Sequence, residues 1–245
     1  VAVGLFLALR PYPHGGETTP PSLRAIGEGV RYAVGRRDLL GTYLVDIAAM
    51  LMAMPVVLFP ALAEDIFARP ELLGLLYSAE TVGAIVATAT SGWTKHVHHH
   101  GRAVVIAAAG YGAAIAMVGL APNLGVAAVF LALAGGADMV SAVFRSTIWN
   151  QTIPDHMRGR LAGIEMLSYS VGPLGGQTRA GLVADAWSVR GAITSGGIAC
   201  VVTVAATTVW LRDFWGYDAR TDEHAVAERA ARVARVARAE GPPGG

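Results

Sequence analysis

From Ala103 to Ala137 the chain runs 35 residues with no charged side chain, interrupted only by Pro122-Asn123. A hydrocarbon layer about 30 Å thick is crossed by about 20 apolar helical residues, and within it every backbone amide must bond inside its own segment. Two apolar runs of about 17–20 residues joined by a tight polar turn therefore predict a helical hairpin through a membrane. A second charge-free run, Gly191 to Leu211, is long enough for one more crossing. Function is then to be sought among the few polar groups left inside the bilayer.

Composition agrees with this reading. Hydrophobic residues make up 53% of the chain and charged ones 15%, against about 25% charged in soluble domains. A net charge of +1 argues against a nucleic-acid partner. Cys200 is the single cysteine and lies in the last apolar run, so no intramolecular disulfide can form. It reads as a small packing residue. The stub Val1 to Leu9 is too short to span and lacks a signal peptide's basic leader. It reads as the end of a helix whose beginning is missing, so the chain is expected to be a fragment.

The segment Arg10 to Pro21 carries four prolines and two glycines and cannot be regular helix. A short helix from Ser22 to Arg37 follows, with Leu23, Ile26, Val30 and Val34 near one face, and is expected to lie on the membrane surface. Six spans are predicted at about 39–63, 71–93, 103–121, 124–149, 159–184 and 191–211. Short links make successive spans antiparallel, giving an all-α up-and-down bundle. Arg220 to Glu240 reads as a weakly amphipathic helix, and Gly241 to Gly245 as disordered.

Basic residues near the spans set the orientation. Arg24, Arg31, Arg36, Arg37, Lys95, Arg102, Arg158, Arg160 and Arg212 fall on one side; Arg69 and Arg190 fall on the other. Nine against two places the linker, the His-rich loop and the tail in the cytoplasm.

Asp46, Glu80, Asp138, Arg145, Glu165 and Arg179 lie within predicted spans. An ionisable group at mid-membrane costs about 2.5–3.5 kcal/mol on insertion scales, so each is expected to face protein or a water-filled path. Asp138 and Arg145 are seven apart, nearly two turns, and share a face about 10 Å apart along the axis, with Ser141 between them. A substrate or proton path is the functional reading; interhelical pairing or snorkelling is the alternative.

Small residues recur at four-residue spacing in Gly83/Ala87, Gly110/Ala114 and Gly172/Gly176/Ala180, where they let helices approach closely. Gly172, Pro173 and Gly176 combine a lost backbone bond with bendable neighbours and read as a hinge, or else a fixed kink. His96, His98, His99 and His100 resemble a metal cluster by composition. Adjacent histidines on a short loop do not easily close a tetrahedral site, so a solvated loop is expected, with no metal and no cofactor. No HExxH, GxSxG, Walker or CxxC pattern occurs. Asp46 and Asp138 suggest an intramembrane aspartyl protease pair only loosely: Val45 stands where Tyr is expected, and Ala137 breaks the GxGD pattern. No enzymatic activity is expected.

Pro21-Ser22-Leu23, Leu58-Phe59-Pro60-Ala61-Leu62-Ala63, Gly74-Leu75-Leu76-Tyr77 and Leu211-Arg212-Asp213-Phe214 occur in order around one stronger motif. That motif is Gln151-Thr152-Ile153-Pro154-Asp155-His156-Met157-Arg158-Gly159-Arg160. Together they resemble the second half of a major facilitator superfamily transporter of the enterobactin exporter-like branch. The resemblance implies that residues 1–9 end helix six, residues 10–38 form the central cytoplasmic loop with its surface helix, residues 39–214 form helices seven to twelve, and residues 215–245 form a cytoplasmic tail. Two departures stand out. The loop Gly92 to Arg102 keeps only the outline of a second GxxxDRxGR signature. Asp46 and Asp138 lack acidic counterparts in the siderophore exporter, so its substrate does not carry over.

The implied function is secondary active export of a small molecule (siderophore, drug or amphipathic metabolite) across the cytoplasmic membrane, coupled to protons. Asp46, Asp138, Arg145 and Glu80 would line the pathway, and Arg158, Gly159 and Arg160 would act at a cytoplasmic gate. The lipid bilayer and the missing N-terminal six-helix half are the expected partners. The competing reading is a non-transporting, half-length scaffold or regulatory subunit.

Overall fold

A computed structural model describes residues 23–240. The expected helix end at 1–9, the linker to Pro21, the Ser22 cap and the segment 241–245 lie outside the described residues. Among those described, the structure is helical without strands. Helix α1 (Leu23–Gly35) packs on α2 (Arg37–Met52) and on α6 (Asp155–Ala186). Between them come α3 (Leu73–Ala89), α4 (His100–Leu120) and α5 (Leu124–Thr152). Helix α7 (Val189–Trp210), a single turn at Arg212–Trp215 and α8 (Glu223–Glu240) complete the chain.

Five segments are both long and apolar enough to cross a membrane: Arg37–Ile66, Pro70–Ala89, His100–Leu120, Leu124–Thr152 and Val189–Trp210. The predicted 159–184 span lies inside α6, which at 32 residues is long enough but less apolar, with Arg158, Arg160, Glu165, Arg179 and Asp185 along it. The predicted hairpin turns exist where the polar residues put them. Asn123 Oδ1 accepts from Val126 N at 3.0 Å and caps α5, while Ser188 Oγ accepts from Gly191 N at 3.0 Å and caps α7. Both satisfy amide groups that a helix start leaves without partners.

The first span is not the continuous helix expected over 39–63. Helix α2 stops at Met52, and the chain resumes through a 3-10 turn at Val56–Leu58, one α turn at Phe59–Ala61 and a π turn at Leu62–Ile66. Pro55 has no N–H to donate and its ring excludes a preceding α turn, which the apolar pattern alone could not signal. The Tyr111 hydroxyl on α4 donates to the Ala53 carbonyl at 2.9 Å, serving an acceptor the break exposes. A break at membrane depth requires such a partner.

Helix α4 is the best-buried span, held between α5 and α7 and touching α2. Helix α3 packs chiefly on α5, while α5 and α6, though consecutive, make little contact. Small residues set the close contacts. A side-chain carbon at Gly83 would collide with the Ala132 carbonyl, and one at Gly135 with the Glu80 backbone. Gly83 thus packs as expected, whereas Gly110 meets only Ala137, at 3.9 Å. On α6, Gly172 and Gly176 face Met50, and a carbon at Gly176 would strike the Met50 carbonyl. The helix runs unbroken through Pro173.

Candidate site: a charge cluster between α2, α5 and α6

Asp46 stands on α2 with 2% of its side chain exposed, and Arg145 on α5 with 4%. The guanidinium Nη1 pairs with Asp46 Oδ1, and Nη2 lies 3.8 Å from Asp138 Oδ1, whose side chain is 39% exposed. The heptad spacing of Asp138 and Arg145 puts both on one face of α5, and the long Arg side chain spans the gap. Ser168 on α6 donates to Asp46 Oδ2 at 3.3 Å, and Ser141 is buried beside the pair. Glu165 and Tyr169 act electrostatically on Arg145 from α6. On the far side of α5, the Glu80 carboxylate of α3 interacts with that of Asp138.

Of the residues expected to line a pathway, the fold therefore brings Asp46, Arg145 and Asp138 into one cluster, with Glu80 behind Asp138. Removing either partner of a buried pair leaves an uncompensated charge, so the cluster holds α2 and α5 in register. Among the described residues, Glu80 Oε1 and Arg145 Nε have no hydrogen-bond partner. The two aspartates do not share a proton face to face, since the guanidinium stands between them.

A cavity of 240 Å³ opens between α2, α5 and α6 toward the basic end of the bundle, lined in part by Tyr43, Trp149, Arg158 and Glu165. Tyr43 stacks on Trp149 with ring centres 5.1 Å apart, and Trp149 Nε1 donates to Thr42 Oγ1 at 2.7 Å. Neither ring stood out in the sequence, since tryptophan near a span end ordinarily marks the lipid interface. Ser168 and Tyr169 were also missed; their signal is the i, i+3, i+4 polar spacing from Glu165.

At the mouth, Arg158 donates to Asn150 Oδ1 at 3.3 Å and to the Asn150 carbonyl at 3.2 Å, near the C-terminus of α5. Arg160 Nη1 pairs with Glu28 Oε2 on α1 at 3.1 Å. Gly159 is open, with nothing near its missing side chain. Arg36 is buried here: burial disfavours its charge, but its bonds to Asp38 at 2.9 and 2.5 Å more than offset this and raise its pKa. It also reaches the Thr152 carbonyl at 3.5 Å, joining α1, α2 and α5.

Arg179 and Arg190 reach backbone carbonyls of neighbouring helices. Arg179 donates to the Ala192 carbonyl at 3.3 Å, and Arg190 to the Gly119 and Ala121 carbonyls at 3.0 and 2.7 Å. The histidine loop is not simply solvated, as the sequence suggests. His100 is buried against Phe144 and Tyr217, the His98 carbonyl accepts from Ala219 N at 3.0 Å, and His99 Nε2 lies 3.6 Å from Asp218. Among the described residues, no group of His, Cys, Asp and Glu could hold a metal ion.

Multi-pass apolar helices enclosing a charged, cavity-lined seam define a polytopic membrane protein. The family model for the Major Facilitator Superfamily matches residues 41–238, and the chain belongs to that family. It is 31% identical over 169 residues to the enterobactin exporter EntS of Shigella flexneri, covering 66% of this chain and 40% of that protein. The identity is also 31%, over 174 residues, to the enterobactin exporter EntS of Escherichia coli O1:K1 / APEC, covering 66% and 41%. The chain thus spans about two-fifths of the curated relatives it matches. No solved structure gives a match.

Proposed function

We propose that this chain forms the C-terminal six-helix half of a secondary transporter that exports a small molecule across the cytoplasmic membrane in exchange for protons. A second six-helix half would close the pathway along the open α5–α6 face, as alternating access between two bundles requires. The enterobactin exporters among its relatives support export as the direction of transport, while Asp46 and Asp138 leave the cargo as a siderophore, drug or amphipathic metabolite rather than enterobactin itself. The nine-to-two charge asymmetry puts the Arg158–Gly159–Arg160 end in the cytoplasm.

One observation supports the mechanism: Arg145 lies between a carboxylate sealed in protein, Asp46, and a partly exposed one, Asp138. Asp46 with Ser168 fixes the guanidinium. Asp138 is the carboxylate free to exchange a proton or meet cargo. When ionised it draws on the guanidinium; when protonated it releases Arg145 wholly to Asp46, changing the charge offered to cargo.

The test is efflux by the intact protein in everted vesicles. Asp138→Asn is expected to abolish efflux driven by a pH gradient while leaving the protein in the membrane. Undiminished efflux removes Asp138 from coupling.

A further inference from the structure

A cavity of 840 Å³ lies not in the charged seam but in a groove on the other side of α5, walled by α3 and α4. Its floor is Gly83, Ala87, Gly110 and Gly136, small residues that leave a trough, and its walls are aliphatic. Polar groups occur only at one end, where Arg102 and His99 stand beside Trp93. Arg102 is exposed, stacks over Trp215 at 5.7 Å and pairs with no carboxylate among the described residues. The acidic group at this mouth, Asp218, lies 3.6 Å from His99.

We propose that this groove binds an anionic phospholipid of the cytoplasmic leaflet, its acyl chains laid along the trough and its phosphate held by Arg102 and His99. Charge complementarity selects this occupant: the cation sits at the end where a headgroup would lie, and the rest of the surface offers nothing polar. Tryptophan at that level suits the headgroup boundary. Size agrees, since 840 Å³ spread over the about 16 Å between Val129 and Val140 gives a trough about 8 Å across, narrower than a helix with side chains at about 10–12 Å.

Native mass spectrometry of the full-length protein tests the site, with palmitoyl-oleoyl phosphatidylglycerol and the matching phosphatidylcholine as probes. Phosphatidylglycerol is expected to be retained in preference to phosphatidylcholine, and excess inorganic phosphate should not displace it. Arg102→Gln is expected to reduce phosphatidylglycerol retention about fivefold, the scale of one basic residue at an anionic surface, and Arg102→Lys to keep most of it. Ala107→Phe, which fills the trough, should reduce both lipids. Equal retention of the two lipids, displacement by free phosphate, or undiminished retention in Arg102→Gln and Ala107→Phe overturns the site. Retention of neither lipid, meaning that another part of the protein covers the groove, overturns it too. Asp138→Asn should bind lipid like the wild type, so failure of the transport reading is distinguishable from failure of this one.

Discussion

At the scale of single residues, Asp46 and Asp138 contact the same guanidinium but in different surroundings. Asp46 is sealed between α2, α5 and α6, so its loss strands a buried arginine. Asp46→Ala is expected to destabilise the detergent-solubilised protein by about 3–5 kcal/mol. Asp138 is partly exposed and 3.8 Å from Arg145, and Asp138→Asn should cost about 1 kcal/mol or less. Thermal unfolding of the two variants separates a holding carboxylate from a working one. Equal losses would mean that both act structurally. That ionisable residues would gather was legible in the sequence, because each is too costly to leave in lipid. Which would touch was not, since the rotation of α2 and α6 is fixed by neighbours far away in the chain.

Among the elements, α3 shows how lipid-facing helices are held. It is fastened to α5 through backbone approaches at Gly83–Ala132 and Glu80–Gly135. No hydrophobic drive joins helices in lipid, so close packing must substitute. Gly135→Ala is expected to cost about 1–3 kcal/mol by forcing α3 away, and Gly181→Ala, with open space around it, to be neutral or stabilising by about 0.5–1 kcal/mol. Thermal unfolding reads both, and a Gly135→Ala variant as stable as the wild type would refute the contact. The small-residue spacing on α3 was legible as a packing signal, but it marked Gly110 equally, and Gly110 meets only Ala137, at 3.9 Å. Spacing names a face, not its partner. The break after Met52 was missed for a related reason: a proline in an apolar run looks tolerable until one asks who serves the freed carbonyl. Tyr111 does, from α4.

Across the whole molecule, basic residues concentrate at one end, where α1, the histidine loop and α8 dock. The Arg220 N–H and the nearby histidines hold the Asp218 carboxylate below its usual range, tying the loop to the tail. In the Cys200→Ser background, Asp222→Cys is expected to react with an impermeant thiol reagent only from the cytoplasmic side, and Glu71→Cys only from outside. The reverse pattern would invert the assigned orientation. Cys200 itself, fully buried, should label from neither side.

The sequence by itself determined the membrane as solvent, the places where the chain turns and the short roll of ionisable groups inside. Those properties are local: residue by residue, lipid tolerates or rejects a side chain. Only the tertiary structure decided that Arg145 is shared between Asp46 and Asp138, that α6 lends Ser168, and that the wide apolar trough lies on the opposite flank of α5. Such pairings depend on how helices rotate and lean against one another, which glycine contacts spread over distant segments fix jointly.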